Sequence, residues 1–414
     1  MTSSKKSTLV VLTQVYPPDP TSVGQHVHDA AAEMARRGYR VIVYTSNRGY
    51  EDPGKRFARR ETVDGVEVWR LPLSGFGKAS ILIRVLGGLS FTLQAAVRSL
   101  FVPRMTLMLV STSPPMCGLA AVLVGLVRRV HVTFWAMDLN PDQMVALGKA
   151  SPRSLLVRGF DWLNRRILAR SRTVVALDRF MAERINRKLD MSGKMLVMPP
   201  WPHEDHVEPV SHEDNPFRHE HGLDDMTVIM YSGNLSLASP VTTVLEAARR
   251  VEDLTDLVFV FVGGGLGKKY VDDLIARDHP PNIRSLPYQP IERLRYSLSA
   301  ADVHLVSVGN EIVGICHPCK IYGSLAASRP ILGLGPKPSH VTDIVEGQDI
   351  GWTVEHGDVD RAERLIREIH ATPPAKRMEM GARARQLVDR QFTMKALCGK
   401  FCDALEHGVT GTRT

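Results

Sequence analysis

Residues 227–265 read TVIMYSGNLSLASPVTTVLEAARRVEDLTDLVFVFVGGG, and the order of apolar runs and glycines in them decides the fold. "TVIMYSGNL" is an apolar run broken at Gly233. Such a run, without polar alternation, suits a strand covered on both faces. "VTTVLEAARRV" follows with apolar residues at helical spacing, and "LVFVFVGGG" is a second buried run closed by Gly263–Gly265. Two strands joined through a helix make the unit of a parallel sheet, because parallel neighbours need a crossover connection.

Working outward, the same alternation continues in both directions. Downstream come the short strands "IRSLPY" and "DVHLVSV", the helix "PCKIYGSLAAS" and the strand "RPILGLG". Upstream, "TLVVLTQV", the glycine turn and helix "TSVGQHVHDAAAEMARRGY" and the strand "RVIVYTS" start the pattern a first time. The expected fold is therefore α/β, with two doubly wound, Rossmann-like domains facing a cleft. We place them at 1–200 and 201–375, joined near 200–225, with a C-terminal helix 376–408 packing back on the first. Ligands of such sheets sit outside the carboxyl ends of the strands, near helix N-termini.

The totals narrow the class. A chain of 414 residues with 44% hydrophobic and 23% charged residues has the composition of a folded soluble protein long enough for two cores. The net charge of +8 points to an anionic partner, either nucleotide phosphates or an acidic membrane surface. Nucleic acid is not expected, because the basic residues are dispersed and no zinc finger, helix-turn-helix or aromatic-interleaved basic stripe is present. Five cysteines, an odd number, without a signal peptide suggest a reducing, cytoplasmic setting. No run of about 18 apolar residues is found, so no transmembrane helix is expected.

Six segments, taken in order, resemble a known family. "YPPDPTSVGQHVHDAAAEMARRGYRVIVYTS" is similar to the opening of retaining GT-B glycosyltransferases of family 4, and "FWAMDLNPDQMVALG" resembles their exopolysaccharide and lipid-linked-saccharide branch. "MYSGNLSLASPVTTVLEAARR", "FVFVGGG", "NIRSLPYQPIERLRYSLSAADVHLVSV" and "HPCKIYGSLAASRPIL" match that branch's second domain in order and spacing. The resemblance implies a hexosyltransferase. Its donor would be a nucleotide-diphosphate sugar bound mainly by the second domain, and its acceptor a lipid-linked or polysaccharide hydroxyl bound mainly by the first. It implies retention of configuration, no metal and no cofactor beyond the donor substrate, and a setting at the inner face of the cell membrane.

Candidate residues follow from the turns and from the resemblance. Asp138, after the strand "HVTFWAM", stands in the family's W-x-x-D position and would orient donor sugar or acceptor; the competing reading is a helix N-cap for 140–148. Gly24 would let backbone approach the donor, and His26 and His28 beside it are candidates on the acceptor side. In the second domain Gly233, Asn234 and Gly264 line strand ends, while Tyr288 and Gln289 match the loop bordering the nucleotide base. Many family members place an Arg and a Lys after the glycine equivalent to Gly233; "GNLSLASP" supplies neither. The two glutamates usual in the family are replaced by Ile315 and Gly323. His317, Pro318, Lys320 and Tyr322 fit the branch's "P-x-K-x-Y" helix entry. Lys320 and the amides around Val313–His317 would hold the diphosphate in place of the missing pair.

Two features admit other readings. Cys316 and Cys319 form a C-x-x-C, and Cys398 and Cys402 are spaced i, i+4; together they could serve redox or zinc chemistry. We read the first as part of a phosphate-binding loop and the second as packing. Residues 78–101, apolar nearly all round with Lys78, Arg84 and Arg98, suit peripheral contact with an anionic membrane or a buried core helix. The absent glutamates and clamp also leave open a non-catalytic GT-B-fold partner that only binds nucleotide sugar.

Overall fold

The computed structural model describes residues 7–19, 21–49, 52, 54–74, 81–203 and 207–409. Two compact units divide the chain: residues 1–201 with 395–414, and residues 202–394.

The first unit opens with β1 (Thr8–Leu12), α1 (Ser22–Arg36), β2 (Arg40–Ser46), β3 (Arg60–Val63), β4 (Val66–Leu71), α2 (Ile81–Leu100) and β5 (Met105–Ser111). It continues through α3 (Cys117–Arg128), β6 (His131–Ala136), α4 (Asp142–Ala146), α5 (Leu155–Arg170), β7 (Thr173–Ala176), α6 (Arg179–Lys188) and β8 (Met195–Val197). The sheet order is β3-β4-β2-β1-β5-β6-β7-β8, parallel except for the β3–β4 hairpin. The chain winds outward from β1 in one direction and from β5 in the other. That puts the point where strand order reverses, and where such sheets bind ligands, between β1 and β5.

The second unit holds α7 (Pro216–Glu220), β9 (Thr227–Asn234), α8 (Thr242–Arg249), β10 (Leu257–Gly264), α9 (Leu266–Asp278), β11 (Ile283–Leu286), α10 (Leu294–Ser299) and β12 (Val303–Ser307). Then come α11 (Lys320–Ala326), β13 (Ile331–Leu334), α12 (His340–Gly347), β14 (Gly351–Val354), α13 (Val359–Ala371) and α14 (Pro374–Gln391). Its all-parallel sheet, β11-β10-β9-β12-β13-β14, reverses between β9 and β12. The strands are covered on both faces. Ile229, Phe259 and Leu305 face one core and Val228, Met230 and Val260 the other, which is why these runs carry no polar alternation.

The terminal segment corrects an expectation. Instead of one helix over 376–408 packing on the first domain, there are two, α14 and α15 (Met394–His407). α14 stays in the second unit. Arg385 donates from Nη1 to the carbonyls of Val207 (2.8 Å) and Ala326 (3.1 Å), and a side chain at Gly381 would overlap the backbone at Ser328. The helix ends at Phe392, whose buried ring meets Tyr322 edge-on at 5.1 Å. Only α15 joins the first unit, where Phe401 packs on Trp135 at 4.1 Å between ring centres. Cys398 and Cys402 lie buried on its inner face, with the Cys402 thiol donating to the Ala30 carbonyl, so both serve packing.

Candidate functional site

β9 passes through a glycine near its end that no bulky side chain could replace. Gly233 has φ +122°, in the region that favours glycine, and a Cβ there would stand 3.0 Å from Cε of Lys320. The bare backbone thus lets the Lys320 stem lie across the end of the strand. The ammonium group sits 5.6 Å from the ring centre of Tyr231. Among the described residues no carboxylate pairs with it, although the side chain is half-buried. A cation without a carboxylate partner beside a strand-end glycine at the sheet's reversal point can take an anion.

The neighbouring strand completes the floor. A Cβ on Gly264, at the end of β10, would lie 2.7 Å from the Tyr288 ring, so the exposed ring rests on the glycine. Asn234 projects from the end of β9 with its amide oxygen against Gly265. Gln289 donates to the Pro287 carbonyl (3.2 Å), a local bond that shapes its own loop. Gly233, Asn234, Gly264, Tyr288 and Lys320 therefore gather at one end of the second sheet.

The loop after β12 differs from the expected amide cradle. The amides of Ile315 and Cys316 both donate to the Ile312 carbonyl, closing a turn on itself and removing two of the donors expected around Val313–His317. The Pro318 carbonyl accepts from the Ile321 amide (3.2 Å), opening the first turn of α11. Tyr322 is buried, and its phenol lies 2.7 Å from Nε2 of His317 and 2.9 Å from Nε2 of His340. A phenol has one proton, so it donates to one ring and accepts from the other, holding the rings at 4.3 Å between centres. Tyr322 is thus a brace behind the loop, and His340, the first residue of α12, is a member the motif did not reveal. Ile315 and Gly323 are buried, so neither position offers a carboxylate. None of the five cysteines is in a disulfide, Cys316 and Cys319 included.

The first unit treats its polar candidates differently. Gly24 lies in the first turn of α1, one step later than a turn glycine, and a Cβ there would stand 3.2 Å from the Tyr16 backbone. The close approach it permits is to the chain's own loop. His26 is 4% exposed, with Nδ1 2.7 Å from the Ser22 carbonyl and Nε2 2.7 Å from the Trp201 carbonyl. That occupation corrects the expectation that His26 meets an acceptor: the ring anchors Trp201, whose indole also donates to Asp29 (2.9 Å). His28 is likewise engaged at both nitrogens, with the Tyr16 phenol (2.9 Å) and Asp64 (3.0 Å). Burial, reinforced by the charges of Asp64 and Asp29, pushes the Tyr16 phenol up. A phenol that keeps its proton donates to Nδ1 of His28, which leaves the Nε2 proton for Asp64.

Asp138 stands half-buried just beyond β6, its amide 3.3 Å from the Thr112 hydroxyl. It is not the helix cap: Pro141 occupies that position for α4, without a side-chain bond. Lys78 lies outside the described residues, as does the Arg84 side chain.

Comparison with known proteins agrees with this architecture. Residues 21–201 match the glycosyl transferase 4-like domain, and residues 213–387 match glycosyl transferases group 1. The chain is a GT-B glycosyltransferase. A probable glycosyltransferase, WbjE, of Pseudomonas aeruginosa is 27% identical over 232 residues, 56% of this chain and 58% of that protein. The putative colanic acid biosynthesis glycosyl transferase WcaI of Escherichia coli is 26% identical over 75% of this chain and 79% of its own length. Among solved structures, sucrose-phosphate synthase of Thermosynechococcus elongatus superposes with TM-score 0.75 at 16% identity, covering 97% of this chain and 98% of that one. HepE of Anabaena, solved with UDP and glucose, gives 0.70 at 14%, covering 97% of this chain and all of its own. At such identities the solved structures speak for the fold alone. Among the described residues no helix of this glycosyltransferase is long and apolar enough to cross a membrane.

Proposed function

We propose that this glycosyltransferase moves a hexose from a nucleotide-diphosphate sugar to a hydroxyl of a lipid-linked or growing saccharide, with retention, at the surface of an anionic membrane touched through residues 78–101. The observation that carries the donor half is Lys320, a half-buried cation without a carboxylate partner among the described residues, lying across Gly233 where the second sheet reverses. In this reading the diphosphate lies against the Lys320 ammonium and the bare end of β9, and the base lies near Tyr288 and Gly264. When the bond from the anomeric carbon to the diphosphate oxygen breaks, negative charge builds on that oxygen. A cation already in place stabilises it without reorganisation. Asp138 orients the donor sugar or the acceptor hydroxyl in the first unit. The site works without a metal, Lys320 taking the place of the usual basic pair. The relatives' own descriptions, as glycosyltransferases and in one case of colanic acid biosynthesis, support the saccharide acceptor.

One observation favours a second reading. Ile315 and Gly323 fill with buried apolar packing the positions where the family carries glutamates, which suits a partner that binds nucleotide sugar without turning it over. The test is nucleotide release from a panel of UDP-, GDP- and dTDP-sugars by purified protein, with membranes of its own host as acceptor source and with chelator in a parallel series. Release from one donor, insensitive to chelator and abolished by Lys320→Ala and Asp138→Ala but not by Cys316→Ser, supports the transferase. Binding without release overturns it in favour of the second reading.

A further inference from the structure

We propose that the outward faces of α2, α3 and α5 form one docking platform for an anionic lipid bilayer. This deepens the lipid-linked-acceptor reading and rests on it for the purpose of docking, while its geometry stands on the first unit alone.

The three helices lie side by side. Phe91, Ala95 and Ala96 of α2 share a core with Cys117, Ala120, Ala121 and Val124 of α3, against β1, β2 and β5. α5 packs on α3 so closely that a side chain at Gly118 would overlap Ile167, which is itself buried. With the inner faces used in this way, the outer faces should be polar. They are not.

Leu89, Leu93, Val97 and Phe101 are spaced by four residues along and just past α2, one stripe of a helix, and Leu93 is 65% and Phe101 79% exposed. On α3, Leu126 and Val127 face outward, and on α5 so do Leu155, at 83%, and Trp162, at 58%. Single exposed apolar residues are ordinary. Here, among the described residues, eleven of the nineteen large exposed hydrophobic side chains of the chain fall on these helices or the residue after α2, so the surface is a patch.

Charge selects the occupant. Among the described side chains, α2 contributes Arg98, α3 Arg128, and α5 Arg158, Arg165, Arg166 and Arg170, against one acidic residue, Asp161. That carboxylate is already paired with Arg165 (3.0 Å) and Lys188 (2.7 Å). The guanidinium of Arg166 lies 5.2 Å from the Trp162 ring centre. A bilayer of anionic lipid satisfies both halves of this surface, taking the apolar side chains at the acyl boundary and the guanidinium groups among its phosphates. A second copy of the chain fits poorly, because a two-fold contact would press one arginine-rich face against its like.

The test is co-sedimentation of the full chain with vesicles of phosphatidylcholine alone or mixed with phosphatidylglycerol, alongside light scattering for oligomeric state. Binding is expected only with the anionic lipid and should fall with salt. Leu93→Gln with Phe101→Gln and Val127→Gln should weaken it about tenfold or more, and Arg158→Glu or Arg166→Glu about fivefold each. The unfolding midpoint should hold in all of these variants, as the side chains are exposed. Nucleoside diphosphate binding in solution, which needs no vesicle, should be unchanged, so loss of docking and loss of donor binding are read separately. Equal binding to both vesicle types, wild-type binding by the triple apolar variant, or a wild-type dimer that the same variant dissociates would each overturn the proposal.

Discussion

The two strand-end loops that open the sheets, after β1 in the first unit and after β9 in the second, are built from similar residue types to opposite ends. Around the first, a glycine admits the chain's own backbone at Tyr16, and both nearby histidines have each ring nitrogen engaged by protein atoms. Around the second, a glycine admits a lysine stem whose ammonium meets no carboxylate among the described residues. The difference teaches how to weigh a polar residue beside a glycine turn. What matters is whether the fold already satisfies it. Satisfied groups fix the loop; an unsatisfied cation at a strand end is left for a ligand.

Breaking the cation should have the largest effect. Lys320→Ala is expected to lower nucleotide release by about a hundredfold or more, the scale of losing one preorganised group at a developing negative charge, while the unfolding midpoint holds. Wild-type turnover by this variant would remove the lysine from the chemistry.

The paired glycines sharpen the contrast. Gly24→Ala forces a side chain onto Tyr16 backbone and should cost about 1–3 kcal/mol in urea unfolding, with donor affinity of the folded protein unchanged. Gly233→Ala adds strain at φ +122° and presses on Lys320, so it should weaken donor affinity about tenfold. Swapped outcomes would mean the two loops have been assigned the wrong way round.

Acid should find the second unit first. Burial, the main cause in both, lowers His304 and His212 from an ordinary 6.5 to about 4. Their folded pKa values are depressed, so the unfolded chain binds more protons below the ordinary value. The stability linked to these neutral rings is present above about pH 6.5 and is lost as pH falls towards about 4. The urea midpoint of the second unit should fall through that window, and less steeply in His304→Asn; an unchanged slope in that variant would exclude His304 as a cause.

The smallest effect belongs to the brace. Tyr322→Phe removes the hydroxyl between His317 and His340 and should cost about 1 kcal/mol of stability, with KM for the donor rising a fewfold as the loop loosens. A loss of turnover as large as that of Lys320→Ala would make the phenol more than a brace.

Much of the fold was legible because its information is local. Apolar runs such as "LVFVFV", closed by glycines, could only be buried strands, and their order with helices fixed a parallel sheet. The break between α14 and α15 was not legible, since the residues that hold α14 to its own unit, Arg385 on Val207 and Phe392 on Tyr322, meet partners distant in sequence. The same distance hid the state of His26, whose partner Trp201 lies 175 residues away. The motif singles out Lys320 as a candidate, yet the motif alone could not tell that Gly233 makes room for its stem. Nothing in the α3 run "MCGLAAVLVGLV" marks its buried Ala120 and Val124 apart from its exposed Leu126 and Val127; the structure does.

The central claim is that the end of the second sheet holds a nucleoside diphosphate through Lys320. Calorimetric titration of UDP, GDP and dTDP into the wild-type chain, Lys320→Ala and Gly24→Ala tests it most directly. The account predicts that one nucleotide binds, that affinity drops about tenfold or more without the lysine, and that Gly24→Ala binds as wild type once corrected for its folded fraction. Equal affinity for wild type and Lys320→Ala would contradict it.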